Sequence, residues 1–453
     1  MKRNIATRRK PSSTAVFSIG FLALILLGTI LLTLPFSSAD GSFTNPLDAA
    51  FTAVSATCVT GLITVDTATA WSTFGHTVII VLIQIGGLGF MTVAMLLSLI
   101  IRRNITPKER RLAALSYNLD EFDGVMPLIK RILIGTLIIE LFGALLLATR
   151  FVPDFGWELG IRKSIFHSIS AFCNAGFDTI GVGNPEISGM AHYVTDPIVN
   201  LTLSLLIIVG GIGFLVWSEL FNFIIHKKRL SAYSKLVLLV TAILLVVGTV
   251  LFAIMEWKNA LADIKGFFPK LMASFFQSVS WRTAGFCTIH NGQFTESTLM
   301  LGVLMMFVGG ASGSTAGGVK VGTVGILFYT VWCVFLGKEN TVMFGRKLSD
   351  HNFVRATSVI VVQITAITMG ALVLSVGNRF HILDVLYEVV SAVSTVGIST
   401  GITPQLAVIP KLTLMILMYF GRVGVLTVSY AVLNSLLRDQ SAVEYPEAKM
   451  LVG

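Results

Sequence analysis

Read for hydrophobicity alone, the chain alternates long uncharged runs with shorter segments of mixed character. The long runs are Thr14 to Phe36, Val78 to Ile101, Ile132 to Ala148, Pro197 to Trp217, Leu236 to Met255, Thr298 to Ala311, Thr357 to Val376 and Leu412 to Val432. Most reach the roughly 20 residues that a helix needs to cross a bilayer. The pattern predicts an all-α membrane protein with about eight crossings, and the same length criterion disfavours a soluble core.

Between these runs lie amphipathic segments of about 10 to 12 residues, too short to cross but long enough for a re-entrant half-helix. Each is followed by a small-residue turn ending in glycine. The copies read DAAFTAVSATCVTGL (48–62), KSIFHSISAFCNAGF (163–177), KLMASFFQSVSWRTAGF (270–286) and DVLYEVVSAVSTVGI (384–398). Their glycines, Gly61, Gly176, Gly285 and Gly397, are 115, 109 and 112 residues apart. Three returning runs carry a glycine cluster, IGGLGF (85–90), VGGIGF (209–214) and VGGASG (308–313); the fourth has FGRVGV (420–425), with arginine in place of a small residue. This is an internal repeat of span, half-helix, glycine turn and span. It divides the chain into four units, 1–115, 116–228, 229–345 and 346–453. Bare backbone at membrane depth is tolerated only where protein buries it or water lines it, so the four turns are expected to converge on one axis.

Composition agrees: 54% of residues are hydrophobic and 13% charged, against about 25% charged in soluble domains. The net charge of +9 is partitioned by loop. Basic residues gather in MKRNIATRRK, at Arg102 to Arg111, at Lys130 and Arg131, at His226 to Lys235 and at Lys338 to Arg355, whereas Ser37 to Trp71 has no Lys or Arg. The positive-inside bias places the basic loops and both termini in the cytoplasm, and no nucleic-acid partner is implied. The first run is too long for a signal peptide and is read as a retained span. Cys58, Cys173, Cys287 and Cys333 lack metal spacing and are read as packing or pore-lining residues.

The turns suggest their own chemistry. Glycine reaches backbone conformations closed to other residues, which lets successive carbonyls point into a lumen. Rings of carbonyls replace the hydration shell of a monovalent cation in potassium-channel filters, and half-helix C-termini favour a cation there. The candidate filter is Thr57, Cys58, Val59, Thr60 and Gly61; Cys173, Asn174, Ala175 and Gly176; Thr283, Ala284 and Gly285; Thr395, Val396 and Gly397. Its ligand would be a monovalent cation, held by backbone carbonyls. Arg282, three residues before a turn glycine, is expected to point away and hydrogen-bond behind the filter. The stretch GGASGSTAGGVK (309–320) is too rich in glycine and serine for a span interior and is expected to break the helix, with close small-residue packing as the bland alternative. It lacks phosphate-loop spacing. Arg422, inside the last run, is a functional-site hypothesis by default, with a salt bridge to a neighbouring glutamate as the alternative. Lys320 pairs with a carboxylate or reaches inner water; Glu140 and Glu219 are read as packing or snorkelling partners near span ends, and His167 and His381 as isolated satisfied or solvated histidines. No nucleotide-hydrolysis motif or catalytic constellation occurs, which argues against a polytopic membrane enzyme.

These units and GGASGSTAGGVK resemble the ion-translocating subunit of the Trk/Ktr/HKT superfamily of potassium transporters, most of all the bacterial KtrB type, over nearly the whole chain. The resemblance implies eight transmembrane helices and four re-entrant half-helices in M1-P-M2 repeats around one pore. It implies a gating loop formed by Gly309, Gly310, Ala311, Ser312, Gly313, Ser314, Thr315, Ala316, Gly317, Gly318 and Lys320, with Arg422 below the filter as an electrostatic barrier able to bind the loop's carbonyls. It further implies a homodimer with one pore per subunit in a bacterial plasma membrane. A cytosolic KtrA-type (RCK) nucleotide-binding ring would be switched by ATP and ADP, and K+ uptake would depend on Na+. Glycine in all four turns favours K+ over relatives that carry serine in the first. A sodium or ammonium pathway of the same architecture is the alternative, and a structural assembly subunit the rival of another class.

Overall fold

The computed structural model describes residues 13–89, 125–181, 189–338, 340–377 and 380–423. The basic tail, the Arg102 to Arg111 segment, the end of the second long run and everything after Val423 lie outside them, and so does the predicted placement of both termini.

The described helices of twelve residues or more are α1 (Ser13–Thr33), α2 (Pro46–Thr57), α3 (Thr73–Leu88), α4 (Val125–Phe155), α5 (Trp157–Phe172), α6 (Pro197–Gly211), α7 (Phe214–His226), α8 (Ala232–Glu256), α9 (Phe267–Ser280), α10 (Glu296–Phe307), α11 (Val321–Phe335), α12 (Asp350–Ser375), α13 (Ile382–Val393) and α14 (Val408–Val423). Their starts follow local chemistry. The side chains of Asn45, Ser72, Asp196, Ser231 and Thr295 accept from the first free backbone N–H groups of α2, α3, α6, α8 and α10. Pro46 and Pro197 stand in first turns, where a missing N–H costs nothing.

The packing order is cyclic. A long helix packs on the short helix after it in each unit: α1 on α2, α4 on α5, α8 on α9 and α12 on α13. The helix returning from each turn then packs on the short helix of the next unit: α3 on α5, α6 on α9, α10 on α13 and, closing the circle, α14 on α2.

By length and composition three described helices can cross a membrane, 128–155, 232–256 and 352–375, or four if the bent pair α6 and α7 is one span. The surface is apolar, with Ile30, Leu137 and Ile254 at least 60% exposed, while the centre holds fully buried hydroxyls such as Ser55, Thr57, Thr60, Ser170, Ser280, Ser391 and Thr395. That inversion of the soluble pattern suits a chain with hydrocarbon outside and a polar axis within.

The bend in one long run differs from the sequence reading, whereas the break at 309–320 was expected. The run 197–217 is not straight: α6 and α7 meet at 102°, where Gly213 has φ +92°. The run from Thr298 stops at Phe307, and an irregular segment leads to α11. A small antiparallel hairpin, β1 (Val342–Met343) with β2 (Arg346–Lys347), interrupts the otherwise helical fold. Its turn, Phe344 and Gly345, has positive φ at both positions, the twist that a two-residue hairpin requires.

Candidate functional site

The four short helices α2, α5, α9 and α13 end where the glycine turns begin, and all four turns share one backbone signature. Val59, Asn174, Thr283 and Thr395 have φ between +50° and +63°, although none is glycine. Two residues on, Gly61, Gly176, Gly285 and Gly397 have positive φ as well. Positive φ in a β-branched residue is a genuine outlier, and Val59, Thr283 and Thr395 all show it. The neighbouring structure therefore has to impose it.

A serine in the last turns of each short helix supplies that constraint. Ser55 and Ser391 accept, through Oγ, the N–H of Gly61 and Gly397 at 3.0 Å. Ser170 and Ser280 instead donate through Oγ to the carbonyl oxygens of Phe177 and Phe286, at 3.0 and 2.5 Å. The carbonyl oxygen of each serine accepts from the residue before the turn glycine, Thr60, Ala175, Ala284 or Val396, at 2.8 to 3.0 Å. These serines are missing from the sequence reading. Their signal is visible in retrospect, a serine five or six positions before every turn glycine.

The turns enclose a common point. A methyl built on Gly61 would fall 2.3 Å from the carbonyl oxygen of Ala175; on Gly176, 2.7 Å from that of Ala284; on Gly285, 2.7 Å from that of Val396; on Gly397, 1.9 Å from that of Thr60. Each glycine thus faces the carbonyl preceding the next glycine, in the order one, two, three, four and back to one. The four carbonyls form one level of a ring, and any side chain on its glycines would collide with those carbonyls. A ring of unpaired carbonyls of this kind can take the place of water around a monovalent cation. Thr57 lies outside the turn as the last residue of α2, and Cys58 and Cys173 are right-handed cap residues of α2 and α5.

The glycine clusters after the turns have two structural uses. Methyls on Gly86, Gly210 and Gly421 would fall 2.0 Å from the carbonyl oxygens of Thr57, Phe172 and Val393, so these residues let each returning helix touch the end of its own short helix. The last glycine of a cluster breaks the helix: Gly89 and Gly213 have φ near +90°. Arg422 occupies the middle slot, where the first two units have Gly87 and Gly211.

The segment 308–320 lies against the ends of the short helices and the fourth turn. Val308 and Val319 form a parallel bridge that pinches its base. Ala311 and Thr315 donate to the carbonyls of Gly211 and Gly210, and Phe214 donates to that of Gly313. A methyl on Gly317 would meet Thr395 Oγ1 at 2.0 Å. Lys320 turns inward and donates to the carbonyl of Ala316 at 2.7 Å rather than to a carboxylate. Arg422 donates to the carbonyls of Thr315, Gly86 and Gly87. Its guanidinium thus joins the fourth unit, the segment of the third and the returning helix of the first. Arg282 is 7% exposed and donates to Thr241 Oγ1 and the carbonyl of Gly309.

Two further readings change in part, the span-end place of Glu140 and the isolation of His167. Glu140 sits in the middle of α4, buried, with both carboxylate oxygens accepting from Gln84 Nε2 at 3.0 and 3.1 Å; a 31-residue helix moves its position away from a span end. His167 is not isolated: its Nδ1 meets the carbonyl of Lys163 and its Nε2 meets Asp178. Gln277 and Glu388 stand at the matching place, three residues before the brace serine, and bond Asn291 and Thr403 beyond their own turns. Glu219 accepts from Ser231 N at 2.9 Å.

Comparison with known proteins decides the family. The model of the TrkH cation transport proteins matches residues 6–444. The chain belongs to the TrkH family. Similar TrkH-family proteins include the potassium/sodium uptake protein NtpJ of Enterococcus hirae, 40% identical over 100% of this chain and 99% of that one. The Ktr system potassium uptake protein B of Bacillus subtilis is 39% identical over 97% of this chain and 96% of its own; its counterpart in Vibrio alginolyticus is 34% identical over 98% and 96%. The crystal structure of the potassium transporter TrkH from Vibrio parahaemolyticus superposes with a TM-score of 0.69 at 18% identity, over 96% of this chain and 88% of that one, which establishes a shared fold.

Proposed function

We propose that this protein takes up potassium across a bacterial plasma membrane through one path per chain, passing the ring of Thr60, Ala175, Ala284 and Val396 carbonyls. The cyclic glycine-to-carbonyl order of the four turns carries this reading, because it sets main-chain oxygens around one point in a chain whose family moves cations. The repeating succession of long helix, short helix, turn and returning helix supports four re-entrant half-helices and eight crossings. Transport down an electrochemical gradient needs no catalytic group.

Segment 309–320 is the gate in this reading, closed by Arg422. Its position against the ends of the short helices and the fourth turn supports that role, as does the guanidinium held to the carbonyls of Thr315, Gly86 and Gly87. A cationic side chain there adds an electrostatic barrier to the steric one. Relatives bearing the Ktr system name support a separate cytosolic nucleotide-binding ring as partner, and the family resemblance supports a homodimer. Sodium as a carried or coupled ion is the second reading, favoured by the potassium/sodium name of the Enterococcus hirae relative.

The test is growth of a potassium-uptake-deficient bacterium at low external K+ with this gene supplied, followed by 86Rb+ and 22Na+ uptake. Rescue is expected, and Gly61→Ser, which drives a side chain into the Ala175 carbonyl of the ring, is expected to lower the Rb+ to Na+ ratio. Absence of rescue with the protein present in the membrane, or an unchanged ratio in the variant, overturns the reading.

A further inference from the structure

The gate reading leaves open how the ring registers the position of the segment packed against it. Asn174 and Thr315 supply a contact for this. Both are 1% exposed, and their side chains meet at 3.1 Å. Asn174 is the left-handed residue of the second turn, with φ +59°. Its counterparts in the other turns are Val59, Thr283 and Thr395. Thr315 belongs to the segment of the third unit, and its hydroxyl also donates to the carbonyl of Phe172, the last residue of α5, at 3.1 Å.

The surrounding oxygens fix the direction of the contact: the amide atom that meets Thr315 also lies against the carbonyls of Phe172 and Ile207, which an oxygen there would repel. A threonine hydroxyl has one proton to give. With that proton on the Phe172 carbonyl, Thr315 Oγ1 can only accept from Asn174. Turning the carboxamide so that its nitrogen faces Thr315 meets this need, and the same nitrogen then reaches the carbonyls of Phe172 at 3.2 Å and Ile207 at 3.3 Å. The other end of the carboxamide faces the Thr283 hydroxyl of the third turn at 3.5 Å. One side chain therefore touches the gate segment, the end of α5, α6 and the adjacent turn.

We propose that the Asn174–Thr315 hydrogen bond is a latch through which the position of segment 309–320 sets the geometry of the second and third turns, making Asn174 a positioning residue for ion selectivity. Withdrawal of Thr315 removes one of three acceptors crowded around the amide nitrogen, and the carboxamide re-aims about its own torsions toward the Phe172 and Ile207 carbonyls that remain. The turn that carries it then shifts. The latch rests on the pore reading above, and it predicts that opening and selectivity are linked.

The experiment uses full-length protein in phospholipid vesicles and reads 86Rb+ influx and the Rb+ to Na+ ratio. Asn174→Thr is chosen because threonine already occupies the same left-handed position in two turns; Thr315→Val removes only the hydroxyl. Each single change is expected to raise Rb+ influx about fivefold and lower the ratio by a similar factor, about 1 kcal/mol at 1.4 kcal/mol per tenfold. The double variant is expected to match either single one, and Thr315→Ser to restore the ratio. Monodisperse elution of each variant guards against misfolding. Effects that multiply in the double variant, or a ratio unmoved by both single changes, overturn the latch. If Gly61→Ser and Arg422→Ala also leave ratio and flux unmoved, the pore reading itself fails; if they act and the latch pair does not, only the latch is lost.

Discussion

Four serines brace the glycine turns through which the proposed ion path runs. Ser391 Oγ is the partner of the Gly397 N–H, in a turn where every residue is fully buried. Removing it by Ser391→Ala leaves a buried donor unmatched, at a cost of about 1–3 kcal/mol. The expected outcome is a lower unfolding temperature in detergent and a lower Rb+ to Na+ ratio; a variant equal to wild type in both measurements would remove the brace from the mechanism. The turn glycines were legible because their spacing repeats. The left-handed residues two places before them were not, since three of the four are β-branched, a side-chain type that disfavours that conformation. Their conformation comes from the hydrogen bonds around them, which no local propensity encodes.

Among the elements, the returning helices combine two demands in one glycine cluster: a close approach to the short helix and then a break. Hydropathy reports the apolar content of 197–217 but carries no direction, so a 102° bend was invisible in it. The signal lay in the third glycine of the cluster, repeated as Gly89 and Gly213. Gly213→Ala forces a Cβ into φ +92° and is expected to destabilise the protein by about 1–2 kcal/mol. Thermal unfolding in detergent measures this, and an unchanged midpoint would mean the bend is held by something other than the glycine.

On the scale of the molecule, the sequence showed the long runs and the fourfold repeat, and the family followed from them. The cyclic contact order could not be read, because pairing between units depends on packed surfaces distant in sequence. Arg422 illustrates this: its partners, Gly86, Gly87 and Thr315, lie more than 100 residues away. Arg422→Ala frees the segment from two other units and is expected to raise Rb+ influx several-fold; wild-type influx would exclude the guanidinium from gating. In the proposed path, an ion held by the Thr60, Ala175, Ala284 and Val396 carbonyls would tie all four units together. Potassium at about 100 times its dissociation constant should add about 2.7 kcal/mol to stability, read as a higher unfolding temperature in K+ than in choline. Gly397→Ala, whose methyl would fall 1.9 Å from the Thr60 carbonyl, should abolish that difference. A K+ response retained in the variant would place the stabilising ion elsewhere.

The seam between α14 and α2 has a consequence for biosynthesis. It joins helices made early and late by the ribosome, so the ring stays an open arc until the final unit enters the membrane. Through that interval the inner side of the first unit, with Thr57 and Thr60 destined for full burial, faces hydrocarbon or the insertion machinery. Lipid offers hydroxyls and bare carbonyls no partners. The nascent arc therefore has to be sheltered until its last helix arrives, and substitutions in α14 that loosen the seam should send the protein to membrane proteases before it ever carries an ion.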